Sequence, residues 1–204
     1  MATVLMKPED ICSTMKKFTT AKSVKELDTP EFKGKMELLR DTTFDYLHRK
    51  LTSSENTIIL KAFSSGDPVT ALKSLIKFRK GSKSPNIPGF LLESKTNIAW
   101  VYAYFIRSLA SVTWGNESFG MLFIENGCIA LVLQELDSKE FRENKDRPTA
   151  DSPTAYAINA YLLIIYNITT TQDVALGGRL GDALRANNFF QKLSEYTKSK
   201  YENP

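Results

Sequence analysis

The chain has 204 residues, of which 42% are hydrophobic and 25% charged, with a formal net charge of +4. A chain of this length buries about 70% of its unfolded surface, so one domain, or slightly more, folds without a disulfide or metal staple. Two distant cysteines, Cys12 and Cys128, exclude a disulfide framework, the single histidine His48 excludes a paired-histidine zinc site, and +4 is too small a charge for specific nucleic-acid binding.

Residues 1–30 read as a polar, lysine-rich N-terminal extension, with room for one helix at 8–18 and a linker or loose edge at 19–29. No apolar stretch of signal-peptide length opens the chain, and the two thiols suit a reducing compartment, read as cytoplasmic with the nucleus left open. Residues 31–204 carry a firmer pattern. Phe32, Met36, Leu39, Phe44, Leu47 and Leu51 recur at helical spacing and predict one amphipathic helix buried along that side. His48 reads as a surface or helix-end residue. A short helix at 55–63 stops at Ser64-Ser65-Gly66, after which Asp67 serves as N-cap to a helix opened by Pro68. Leu72, Leu75, Ile76 and Phe78 form its buried side. Lys73, Lys77 and Lys80 fall on the opposite side with Arg79 and Lys83 nearby, the densest positive patch in the chain. It is a candidate contact for an anionic partner; the plainer reading is a solvated face with cations near a helix C-terminus. No aromatic residues alternate with these lysines as they do in single-strand binders. Residues 81–89 are a loop by composition, and Phe90, Leu91 and Leu92 are expected to pack back onto the core.

The pattern is strongest from 97 to 138. Ile98, Val101, Tyr102, Phe105, Ile106 and Leu109 form a broad apolar helix face behind a Thr96 N-cap, and Arg107 is the only charge between Ile98 and Trp114. A segment this short, with a charge inside it, reads as a buried helix rather than a membrane span. A second helix at 118–126 stops at Gly127, which takes a left-handed conformation without a Cβ penalty. Ile129, Leu131, Val132, Leu133 and Leu136 then give a third, apolar helix. Residues 139–152 are a charged, proline-containing insertion, exposed by composition. Ser152 or Asp151 caps the next helix, with Pro153 in its first turn. Gly177-Gly178-Arg179-Leu180-Gly181 lacks the Gly-Lys-Ser/Thr ending of a phosphate loop and reads as a helix break. Phe189, Phe190, Leu193 and Tyr196 form a last apolar face.

Part of this pattern repeats. Ala155, Tyr156, Ile158, Ala160, Leu162, Ile165 and Ile168 follow Ala99, Trp100, Tyr102, Tyr104, Ile106, Leu109 and Val112 at a constant displacement of 56 positions. The clearest repeats are 96–138 and 153–199. Self-similarity at a few tens of residues is the mark of a solenoid, whose units bury their apolar faces against one another.

Phe123-Ile124-Glu125-Asn126-Gly127-Cys128-Ile129-Ala130-Leu131-Val132 resembles the junction between the first and second helices of armadillo repeats, and Tyr166-Asn167-Ile168-Thr169 resembles the end of their third helix. The resemblance covers roughly residues 67–198. It implies an all-α fold, an armadillo-like right-handed α-solenoid whose third helices line a concave groove. Carried over position by position, it places Ala103, Arg107 and Ser111 in the groove from one unit and Asn159, Leu163 and Asn167 from the next. An asparagine there pairs with a ligand's backbone; the alternative for Asn167 is a helix-end cap or a hydrogen bond within the stack. Arg107 either meets an acidic group or extends to solvent. Arg107 and Leu163 stand where nuclear-import receptors carry tryptophan, which argues against recognition of nuclear signals.

The functional expectation is a non-enzymatic protein–protein interaction module that binds a protein or extended peptide through Arg107, Ser111, Asn159, Leu163 and Asn167. Lys73, Lys77, Arg79 and Lys80 form a second, anionic-partner patch. No catalytic residues, metal or cofactor are assigned, because no nucleophile, metal or phosphate motif appears. No membrane insertion is expected. The alternative is a self-associating or intramolecular adaptor or regulatory fragment of a larger armadillo-like protein, which forms a homo-oligomer through the apolar end near Phe189 and Phe190.

Overall fold

Short-range signals set several helix boundaries, and long-range contacts set the others. In the computed structural model, residues 5–48, 53–81, 95–138, 152–170 and 173–191 are described. Among them every regular element is helical: α1 (Pro8–Thr20), α2 (Pro30–His48), α3 (Ser53–Ser65), α4 (Pro68–Lys80), α5 (Asn97–Thr113), α6 (Glu117–Glu125), α7 (Cys128–Leu136), α8 (Pro153–Thr169) and α9 (Val174–Ala186), with a 3₁₀ turn at Val24–Glu26. Asp67 and Ser152 cap α4 and α8 as expected, each accepting a backbone N–H at 3.1 Å from Thr70 and Ala155 respectively. Gly127, at φ +70°, separates α6 from α7, and the two are bent by 77°. No single helix among the described residues is long and apolar enough to cross a membrane.

The helix α5 is the centre of the packing. It lies between α2 and α8, and 14 of its 17 residues are buried. Its start depends on a distant residue: Thr96 makes no side-chain cap, and the Ile98 N–H donates instead to Asp28 Oδ1 at 2.8 Å. The stretch at 19–29 is therefore no loose edge, since Leu27 is fully buried and Asp28 holds the first turn of α5. Nor is α1 peripheral: Ile11, Met15 and Phe18 are buried, and α1 packs on α3 and α4. At Gly66 the chain passes so close to Met15 that an added Cβ would lie 2.3 Å from its Cε.

Two further contacts join residues 56 positions apart in the chain. Phe63 on α3 packs edge-on against Phe119 on α6 at 6.0 Å, and Arg79 on α4 pairs with Glu135 on α7, 56 positions away. The bounds of α5, shifted by the same 56 positions, coincide with those of α8. Burial nevertheless differs between these two helices. Ile106 is fully buried on α5, whereas its counterpart Leu162 on α8 is 46% exposed, because α5 has a helix on both sides.

Three further expectations change. The glycines at 177, 178 and 181 lie inside α9 and do not break it. Asp173 caps this helix twice, through the N–H groups of Ala175 and Leu176, and Leu176, Leu180 and Leu184 bury one stripe against α6, α7 and α8. That tertiary anchoring outweighs the local propensity of glycine. Phe44, assigned to the buried side of α2, is 41% exposed. Arg79, assigned to the exposed lysine face, is buried, because its guanidinium turns inward to a carboxylate. The loop at 82–89, Phe90 to Leu92, the side chains of Leu47 and His48, Leu51, Lys83, the insertion from 139 to 151, Leu193 and Tyr196 lie outside the described residues.

The open space around Gly177 and Gly178 generates a test. Both sit in a helix interior, and a Cβ added at either would meet no neighbouring atom within 4 Å. Gly177→Ala and Gly178→Ala should each stabilise the protein by roughly 0.5–1 kcal/mol in chemical denaturation, since alanine loses less backbone entropy. A loss of stability would contradict a continuous α9.

Candidate functional site

Two polar constellations stand out, one buried and one open. The buried one centres on Glu135, which has no solvent exposure. Its Oε2 accepts from Arg79 Nε at 2.5 Å and from the Tyr102 hydroxyl at 2.9 Å, while Lys80 Nζ approaches Oε1 at 3.1 Å. Tyr102 also meets the hydroxyl of Tyr161. Because Tyr102 donates its one proton to the carboxylate, Tyr161 must donate to Tyr102. The chain joins α4, α5, α7 and α8. Burial pushes both phenols well above their ordinary value near 10, chiefly by desolvation of the charged form. None of Arg79, Tyr102, Glu135 or Tyr161 lines the open groove described next, so this network works as a clamp between helices.

The open constellation is a groove of about 570 Å³ along α5 and α8, lined by Arg107, Tyr156, Asn159, Leu162, Leu163 and Tyr166. Helical spacing explains the lining: Tyr156, Asn159, Leu163 and Tyr166 succeed one another at three- and four-residue steps along α8, and Arg107 comes from α5. Tyr166 is 57% exposed, Leu162 nearly as much, and Asn159 is exposed. The Arg107 guanidinium lies over the ring of Phe44 on α2 at 5.9 Å. Further along the same three helices, Arg40 lies over Tyr104 at 4.4 Å and Tyr104 meets Tyr156 edge-on at 5.8 Å. Aromatic rings and arginines thus alternate across α2, α5 and α8.

The groove residues expected from the sequence divide here. Arg107, Asn159 and Leu163 come together around the groove. Ser111, Asn167 and Ala103 are buried and do not line it. Asn167 instead reaches from α8 to the end of α5, where its Nδ2 donates to the Ala110 carbonyl at 2.7 Å and to Thr113 Oγ1 at 3.3 Å. It satisfies one of the carbonyls that every helix C-terminus leaves unpaired. In the expected lysine patch, Lys73 and Lys77 are exposed, Lys80 is half exposed beside Glu135, and Arg79 is withdrawn. Tyr156, Leu162 and Tyr166 are groove residues that sequence reasoning missed. They carry the same helical register as the core, and nothing in one chain's sequence marks the side of α8 left open. Glu135 sits among apolar residues without a local signal; its spacing of 56 from Arg79 matches the repeat displacement.

No group of three or more histidine, cysteine, aspartate or glutamate side chains suited to a metal ion occurs among the described residues. The Cys128 thiol is buried and pushed up to about 11 by desolvation, which leaves it protonated and unreactive at neutral pH. No family model, curated protein or solved structure matches the chain.

Two tests address the clamp. Arg79→Met leaves the Glu135 carboxylate buried with less compensation and should cost about 3–5 kcal/mol. Arg79→Met combined with Glu135→Leu should cost clearly less than the sum of the single variants in a denaturation double-mutant cycle. Additive effects would mean the two side chains are not coupled. Alkaline pH supplies the second test. The folded-state values of Tyr102 and Tyr161 exceed their unfolded ones, so their contribution is intact below about pH 10 and lost as pH rises beyond it. Tyr161→Phe should move the midpoint of alkaline unfolding to higher pH, as followed by circular dichroism; an unchanged midpoint would remove this tyrosine from the transition.

Proposed function

We propose that the protein is a non-enzymatic protein–protein interaction module that binds an extended peptide in the groove along α5 and α8. In this reading α3–α4–α5 and α6–α7–α8 are successive three-helix units of an armadillo-like right-handed array, and α2 is the third helix of the unit before them. The pairing of Phe63 with Phe119 and of Arg79 with Glu135, each first or second helix against its counterpart, supports that arrangement.

The observation that carries the functional reading is the groove itself. Large apolar side chains, Leu162 and Tyr166, stay exposed beside a guanidinium and a carboxamide. Exposed apolar surface framed by a few polar groups marks binding surfaces. An extended peptide suits it because Asn159 offers both a donor and an acceptor to a main chain, while the leucines and tyrosines give sequence-tolerant apolar contact. The buried tyrosine–carboxylate chain is sealed in the helix core, away from this opening, which supports a binding rather than a catalytic role.

Panning a displayed random peptide library against the parent and against Leu163→Asp tests the reading. The substitution places a charged side chain in a groove residue that is only half-buried, so the fold should survive and the two proteins should melt alike. Peptides enriched by the parent should lose about tenfold or more in affinity for the variant, equivalent to about 1.4 kcal/mol. Equal binding by both proteins would move the peptide site elsewhere.

A further inference from the structure

Among the described residues, one cation of the groove has no carboxylate paired with it. Two arginines occupy the shared face of α2, α5 and α8. Arg40 is neutralised: its Nη2 lies 2.7 Å from Asp41 Oδ1 and 3.3 Å from Glu37 Oε1. Arg107 lies over the ring of Phe44, and among the described residues no carboxylate pairs with it. None of the six residues lining the groove is acidic.

A guanidinium is a planar fork that matches a carboxylate through two parallel hydrogen bonds. Half-buried beside an aromatic ring, Arg107 is less screened by salt than a surface charge. The same groove is lined by Asn159, suited to a main-chain amide, and by the apolar pads of Leu162, Leu163 and Tyr166. A basic segment would meet uncompensated like charge here.

We infer that the occupant is an extended polypeptide segment carrying one aspartate or glutamate flanked by apolar residues, its carboxylate docked on Arg107. This rests on the peptide-groove reading and adds the sign of the charge the groove selects. The segment's main chain runs along α8 past Asn159, and its apolar side chains cover Leu162, Leu163 and Tyr166.

The peptides recovered by library panning, and synthetic copies of them in fluorescence anisotropy, test the charge selection. The parent should enrich Asp or Glu at one position with apolar neighbours. Replacing that residue by its amide should weaken binding about tenfold at low salt, with the difference shrinking as salt rises. Arg107→Gln should bind the acidic peptide and its amide alike, and Arg107→Glu should select lysine or arginine at the same position. Thermal melts and binding by Arg107→Lys, which keeps the charge, separate a folding defect from a lost contact. A parent pool that depends on Leu163 but shows no acidic preference would overturn the charge assignment while leaving the groove in place. The charge assignment fails equally if Arg107→Gln keeps the acidic preference. A pool no better than that of Leu163→Asp would remove the groove reading, and this inference with it.

Discussion

A carboxylate with no access to water sits where four helices meet, and the packing of those helices answers to it. Moving a charged carboxylate into a protein interior costs several kcal/mol unless partners replace its hydration. Glu135 obtains them from three directions: Arg79 on α4, the Tyr102 hydroxyl on α5 and the nearby Lys80 ammonium. Tyr161 on α8 supports Tyr102 in turn. The Arg79 and tyrosine contacts are hydrogen bonds and so directional, whereas Lys80 stands beside Oε1 as a charge alone. Through Tyr102 and Tyr161 the network ties α5 to α8, the two helices that form the groove.

The same geometry explains why one helix is sealed while its repeat counterpart is open. The sequence register of α5 and α8 is shared, but α5 is covered by α2 on one side and α8 on the other. Residues that are core on α5 become surface on α8, and Leu162 and Tyr166 are left exposed beside Arg107. Asn167 and Asp28 act alike at the two ends of α5. Each ties off an end from a distant helix or turn, one at the Ala110 carbonyl, shared with the Thr113 hydroxyl, and the other at the Ile98 N–H.

Much of this was legible in the residues alone. Helical periodicity located the helices, and Asp67-Pro68, Ser152-Pro153 and Gly127 marked boundaries through chemistry confined to a few neighbouring residues. The displacement of 56 positions between α5 and α8 was visible as well. The glycines of α9 misled because a helix break is a local inference, whereas Leu176, Leu180 and Leu184 hold that helix by burial against other elements. Phe44 misled for the opposite reason: its spacing fits an apolar stripe, but no neighbouring helix covers it fully.

What the sequence by itself determined is therefore the helical class and most helix ends, because each depends on side chains within one or two turns of each other. Tertiary structure alone decided which arginine is drawn inside and which is left outside. Arg79 and Arg107 each follow an apolar residue on a helix, Phe78 and Ile106, and neither position says in sequence what will approach it. Only the approach of α7 supplies Glu135 to the first, and only the open side of α8 leaves the second facing solvent. Burial is a property of the assembled helices, and charge pairing follows from burial.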